Sequence, residues 1–178
     1  MRSIAFAIRS GLAATVACLL AAAPAHAGRI GGFHGAHSNA AGGVTAESGR
    51  AIQGENGGAV SRRGLVTDGQ GDAAGGSYGA FKGPNGAAGA RAGKWSHSAN
   101  GTTTHSSAGA VSGARGSASS SGSFSRQADG TASGERNTTA TGSNGGSYDG
   151  STTYSSSSGV QHSGTCTNSS GQTVACSR

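Results

Sequence analysis

Large apolar side chains are what this sequence has least of. Beyond residue 27 only sixteen of 151 residues are Leu, Ile, Val, Met, Phe, Tyr or Trp; Leu65 is the one leucine there, and Ile30 and Ile52 are the two isoleucines. Ordering a residue costs roughly 1–2 kcal/mol of backbone entropy, and more at glycine. The main compensation, about 1.5–3 kcal/mol per side chain, comes from burying groups of this kind. A domain closed around one packed core is therefore excluded. Enzymes are disfavoured with it, because catalytic groups need a rigid supporting shell. No Gly-x-Ser-x-Gly elbow occurs with a plausible set of partners either.

Charge is scarce as well. Without Arg2 and Arg9 the chain has eleven basic and seven acidic residues, a net of +4, and only Arg62 and Arg63 adjoin. A nucleic-acid surface would show clustered Lys and Arg interleaved with aromatics, so no nucleic-acid partner is expected. Cysteine is limited to Cys18, Cys166 and Cys176.

The amino terminus reads as an export signal. Arg2 and Arg9 precede an uncharged run from Ser10 to Ala23, too short to span a bilayer. Pro24 ends the run, and Ala25 and Ala27 supply small residues at the −3 and −1 positions of a cleavage site, making Gly28 the first mature residue. Its short, Ala-rich form fits a Gram-negative leader, which places the product in the periplasm or outside the cell. Removing Cys18 leaves Cys166 and Cys176, which are expected to pair in an oxidising compartment. The turn-forming residues Asn168 to Gly171 set the two opposite each other on a small hairpin. Their spacing is not Cys-x-x-Cys, and no near His completes a zinc site.

What the chain has in abundance is Gly and Ser, 34 and 27 of the residues after position 27, about 40% together. Such chains behave as flexible coils unless cross-strand pairing orders them. The distribution shifts along the sequence: residues 28–95 hold 20 Gly but 4 Ser, whereas 96–178 hold 14 Gly, 23 Ser and 12 Thr. Dense breakers such as Gly54-Glu-Asn-Gly-Gly58 make 28–75 a flexible segment, while the Thr, Val and aromatic residues farther on favour strands.

Gly-x-aromatic blocks recur at Gly76-Ser-Tyr78, Gly93-Lys-Trp95, Gly122-Ser-Phe124 and Gly146-Ser-Tyr148. The stretch from Gly93 to Thr102 aligns with Gly122 to Thr131 at an offset of 29, and each copy carries Asn-Gly or Asp-Gly, a strong hairpin signal. Asp149-Gly150 supplies a third such dipeptide. A two-residue turn at Asn100-Gly101 would put Trp95, His97 and Ala99 on the side of Thr102, Thr104 and Ser106, with His105 on the other side. Neither face is then apolar, so register is weakly specified and the edges invite self-association.

Candidate chemistry is thin. His34 and His37 have metal-compatible helical spacing, but the neighbouring glycines oppose a helix. Asp68 and Asp72 lack the spacing of calcium-binding rolls. Thr102 to Thr104 and Thr139-Ala-Thr141 are only fragments of a Thr-rich binding row. No catalytic, metal or cofactor residue is assigned.

The leader, the Gly-x-aromatic blocks and the terminal Cys166-Thr-Asn-Ser-Ser-Gly…Cys176 resemble small Gly/Ser-rich secreted proteins of proteobacteria, best over residues 76–178. The resemblance implies an envelope or extracellular location and carries over no catalytic residue. The expectation is a largely low-complexity or disordered chain with an all-β tendency: a signal helix over 1–27, a flexible segment over 28–75, an irregular hairpin meander over 76–163, and a disulfide-closed hairpin over 164–178. Its expected role is that of an exported, non-enzymatic structural or interaction protein meeting envelope or extracellular components or its own copies, with no transmembrane segment after cleavage. The alternative is a secreted module that binds glycan, ice or metal on a Thr/aromatic surface.

Overall fold

The computed structural model describes residues 28–176; the leader, with Ala25 and Ala27, lies outside them. Gly28, at the expected cleavage point, is exposed and precedes the first strand. Strands follow one another as β1 (Arg29–Ser38), β2 (Val44–Gly54), β3 (Gly57–Thr67), β4 (Ala73–Lys82), β5 (Ala88–His97), β6 (Thr103–Gly113), β7 (Gly116–Arg126), β8 (Ala132–Gly142), β9 (Ser147–Ser155), β10 (Gly159–Thr167) and β11 (Thr173–Val174). They form one eleven-stranded sheet in chain order, every neighbouring pair antiparallel. One 3-10 turn at Pro84–Gly86 joins β4 to β5.

The all-β expectation holds, but its extent does not. Residues 28–75, expected to be flexible, contain β1, β2, β3 and the start of β4, and the expected boundaries after 75 and 163 fall inside β4 and β10. Main-chain pairing orders this stretch without any signal in side-chain size. Its glycines allow close approach: a Cβ on Gly43 would collide with the Thr67 carbonyl, and one on Gly32 would lie 3.0 Å from the Gly49 carbonyl oxygen.

The turn dipeptides work differently from the two-residue geometry. Loops at 39–43, 98–102, 127–131, 142–146 and 168–172 share one plan: the first residue's N–H donates to the fifth residue's carbonyl, and the fourth residue's N–H donates to the first residue's carbonyl. The fourth residue is Gly42, Gly101, Gly130, Gly145 or Gly171, all at φ between +79° and +90°. Asn100 and Asp129, at the third position, accept from the N–H of Thr102 and Thr131. A type I′ turn needs positive φ at both central residues, and Asn85 is the one non-glycine with positive φ among the described residues. Asn100-Gly101 is thus part of a five-residue loop. Asp149-Gly150 forms no turn and lies inside β9.

Among the described residues no hydrophobic side chain is buried. The sheet is a single layer, held by its ladder and by short-range contacts. Hydroxyl pairs bridge strands at Ser96–Thr104 (2.7 Å), Ser119–Thr139 (2.8 Å) and Ser120–Thr138 (3.0 Å). The expected disulfide joins Cys166 to Cys176, Cα to Cα 5.3 Å, and holds the two-residue β11 against β10.

Candidate interaction surface

Residues paired across strands share a face, and successive residues alternate, so the register sorts every strand residue onto one of two faces. The result is strongly asymmetric. Twelve large apolar side chains are exposed among the described residues. Register puts eleven of them, all but Phe33, on one surface, here termed the aromatic face.

Ten of these eleven fall into two rows that cross the strands, and Val44, at the start of β2, lies beyond both. One row runs Leu65–Gly75–Trp95–His105–Phe124–Gly134–Tyr154–Val160, and the other includes Ile30, Ile52, Phe81, Val111, Tyr148 and Val174. Between the rows lies a band of Gly and Ser that carries Arg50, Arg63, Arg91 and Arg136. Arg126 shares this face at the end of β7. The three carboxylates borne by strands, Glu47, Glu135 and Asp149, all lie on the opposite face.

Glycine opposite an aromatic shapes the rows. Phe81 faces Gly89, Trp95 faces Gly75, and Phe124 and Tyr154 both face Gly134. A Cβ on Gly89 would lie 2.5 Å from the Phe81 ring, and one on Gly75 would lie 2.7 Å from Trp95 Nε1. The rings lean into space that glycine leaves empty, an arrangement that compensates for glycine's weakness in a strand. Phe124 and Tyr154 stand 6.2 Å apart, their planes within 24°.

The opposite face is more polar and carries fewer large apolar side chains, Phe33, Val60, Val66 and Tyr78. β7 presents Ser117, Ser119, Ser121, Ser123 and Ser125 there. It also holds the one described ion pair, Arg62 Nη2 donating to Glu47 Oε2 at 2.9 Å, with the Arg62 guanidinium 5.8 Å from the centre of the Phe33 ring. A shallow, open depression of about 460 Å³ on this face is lined by Ala92, Lys94, Ala108, Ser121, Glu135 and Asn137 among others.

The histidines do not gather. His34 and His37 lie on opposite faces of β1. His97 and His105 share the aromatic face, contrary to the two-residue turn, because the five-residue loop shifts the pairing by one; His97 Nδ1 and Thr103 Oγ1 are 2.9 Å apart. His162 lies 3.1 Å from the Tyr148 hydroxyl and 2.8 Å from Thr152 Oγ1. Among the described residues no three His, Cys, Asp or Glu side chains are grouped to hold a metal.

Known proteins do not help with this surface. No family model, curated protein or solved structure matches the chain. Among the described residues no helix is long and apolar enough to cross a membrane. A membrane barrel would need an unbroken apolar outer band, and an arginine at the bilayer midplane costs roughly 2–4 kcal/mol. Four arginines occupy the corresponding band here. The sequence had exposed the aromatic repeat but not the segregation of charge, which appears only once register assigns faces.

Proposed function

We propose that the chain is an exported, non-enzymatic structural or interaction protein of the bacterial envelope or extracellular matrix, and that it acts through surfaces completed by a partner. The observation that carries this reading is the single-layer sheet with no buried hydrophobic side chain among the described residues. Stable domains ordinarily pack two layers over a shared core. Ten strands at a spacing of about 4.8 Å, each about 33 Å long, give a face of roughly 1,400 Å². That exceeds the roughly 800 Å² a partner contributes to a standard interface. The leader-like start and the disulfide support passage through an oxidising compartment.

The test is expression of the whole chain in a Gram-negative host, followed by fractionation and intact-mass analysis. Cleavage before Gly28, a periplasmic or external product and a Cys166–Cys176 bond are expected. An uncleaved, reduced, cytoplasmic chain would overturn the location and with it the role.

A further inference from the structure

We infer that the aromatic face is a binding surface for linear acidic polysaccharide, each chain running across the strands with its sugar rings on one aromatic row and its carboxylates on the arginines that flank that row, Arg63 and Arg136 beside one and Arg50 and Arg91 beside the other. The inference deepens the reading of the chain as an interaction protein and rests on it only for where the ligand is met.

Three features point to this chemistry. First, the arginines of this face are unneutralised. Arg50, Arg63, Arg91, Arg126 and Arg136 share it with no strand carboxylate, whereas Arg62 on the other face is paired with Glu47. Guanidinium groups bind carboxylates through paired N–H donors, so an anionic partner is selected. The same charge pattern opposes a second copy docked face to face, which would oppose arginines to arginines without a counterion.

Second, the aromatic rings lean over glycines on adjacent strands, and Phe81, Trp95, Phe124 and Tyr154 remain 38–45% exposed. Such a platform suits the C–H face of a sugar, and Phe124 and Tyr154, 6.2 Å apart, make it continuous over Gly134. The large apolar side chains lie in rows along the sheet, and the depression of about 520 Å³ that Phe81 and Val111 line is shallow and open. That geometry suits an extended polymer, whereas small ligands occupy concave pockets.

Third, the charge density disfavours a nucleic acid. The four arginines sit on β2, β3, β5 and β8, so successive ones are about 5, 10 and 14 Å apart across the strands, a sparse and uneven series. A nucleic-acid strand presents one charge per roughly 3.4 Å. A polyuronate, with one carboxylate per sugar, is less densely charged than a phosphate backbone, and its stacked sugars use the apolar rows that phosphates do not need.

The experiment is isothermal titration of the purified, oxidised protein with a polyuronate of defined length. Its fully methyl-esterified counterpart, a thymidine oligonucleotide and phosphatidylglycerol vesicles serve as comparison probes. Saturable binding of the polyuronate is expected, stronger than that of the ester, oligonucleotide or vesicles and weakened by salt through screening. Arg63→Gln and Arg91→Gln should each weaken it about tenfold, the loss typical of one charge-assisted contact, while Lys94→Gln on the opposite face should leave it unchanged. Trp95→Ala should weaken the ester and the acid alike. Because that change also bares Gly75, the two arginine variants, which alter charge on an exposed surface, carry the test on their own. No binding of the polyuronate, equal or tighter binding of oligonucleotide or vesicles, or equal effects of Lys94→Gln and Arg91→Gln would overturn the proposal. These outcomes are read on purified protein, so a failure of the envelope assignment would not be mistaken for a failure of binding.

Discussion

At the scale of single residues, glycine opposite an aromatic is the repeated device. Adding a Cβ at Gly75 would bring it within 2.7 Å of Trp95 Nε1 and 2.9 Å of the Gly64 carbonyl oxygen, so the indole must leave its place. Gly75→Ala should therefore destabilise the sheet by roughly 1–3 kcal/mol, the usual cost of overpacking, and shift Trp95 fluorescence to the red. Gly31→Ala meets nothing within 4 Å and should change the denaturant midpoint little, within about 0.5 kcal/mol; equal effects at the two sites would show that the ring does not depend on the glycine. A second residue-scale contact is the loop at Asp129. Hydrogen bonds from the Thr131 hydroxyl at 2.7 Å and the Thr131 N–H at 2.9 Å hold its carboxyl below the ordinary carboxylate value. A lowered value in the fold means a contribution present above the unfolded value and lost as pH falls through the lowered one. Thr131→Val removes the larger cause, so a carboxyl-carbon NMR titration should find Asp129 moved upward. Trp95, Phe124 and Tyr148 were legible in the sequence as Gly-x-aromatic blocks, whereas the block at Tyr78 falls on the opposite face and Phe81 and Tyr154 stand outside those four blocks. The glycine partners were not legible, because Gly75 and Trp95 meet only through cross-strand register.

Elements show why register was the weak point. Asn100-Gly101 correctly marked a turn between two strands, and the offset of 29 correctly paired Trp95 with Phe124, which occupy equivalent places on β5 and β7. The loop closes over five residues because Asn100 keeps negative φ and uses its side chain to accept from Thr102 N–H, while Gly101 alone takes φ +90°. A slip of one residue moves a whole strand's side chains to the other face, which is how His105 came to share a face with His97. The strands β1 to β3 were illegible for a different reason: Gly, Ala and Ser on both faces leave no alternation to read, and only main-chain pairing distinguishes them from a linker. The terminal element was readable, since a Cys pair around a turn has few other geometries. β11 has only two ladder pairs, Cys166 with Val174 and Thr167 with Thr173. Closing a loop with a sequence separation of 10 contributes roughly 2–3 kcal/mol in the chain-entropy description. Reduction should therefore abolish amide protection at Thr173 and Val174 in hydrogen exchange while β2 to β9 keep theirs. Loss of protection across the whole sheet would make the bridge a global staple instead.

For the whole molecule the two edges differ, and the difference bears on assembly. At one side the disulfide-held β11 covers only Cys166 and Thr167 of β10, so residues 159–165 of that strand have no described strand partner on their outer side. At the other, β1 is a ten-residue strand with no Lys, Pro or carboxylate, and no described strand pairs with its outer side. Head-to-tail pairing of β1 with β10 meets the disulfide-held β11 across one end of the strand, whereas β1 of each copy can pair antiparallel with the other along its whole length about a two-fold axis, which favours that closed contact. Such pairing leaves the aromatic face uncovered, so assembly and polysaccharide binding are compatible. A dimer with concentration-dependent dissociation is expected in sedimentation velocity. The double substitution Gly31→Lys and Gly35→Lys places two charges on the edge strand at positions where an added side chain meets nothing within 4 Å. It should weaken the dimer at least about tenfold through repulsion and loss of a flat edge, while the far-ultraviolet spectrum of the sheet stays the same. A dimer that survives this change with undiminished affinity would move the contact from the edge to a face. The opposite face, where Glu47, Glu135 and Asp149 can answer Arg29, Arg62, Lys82 and Lys94, would then be the surface that the two copies share.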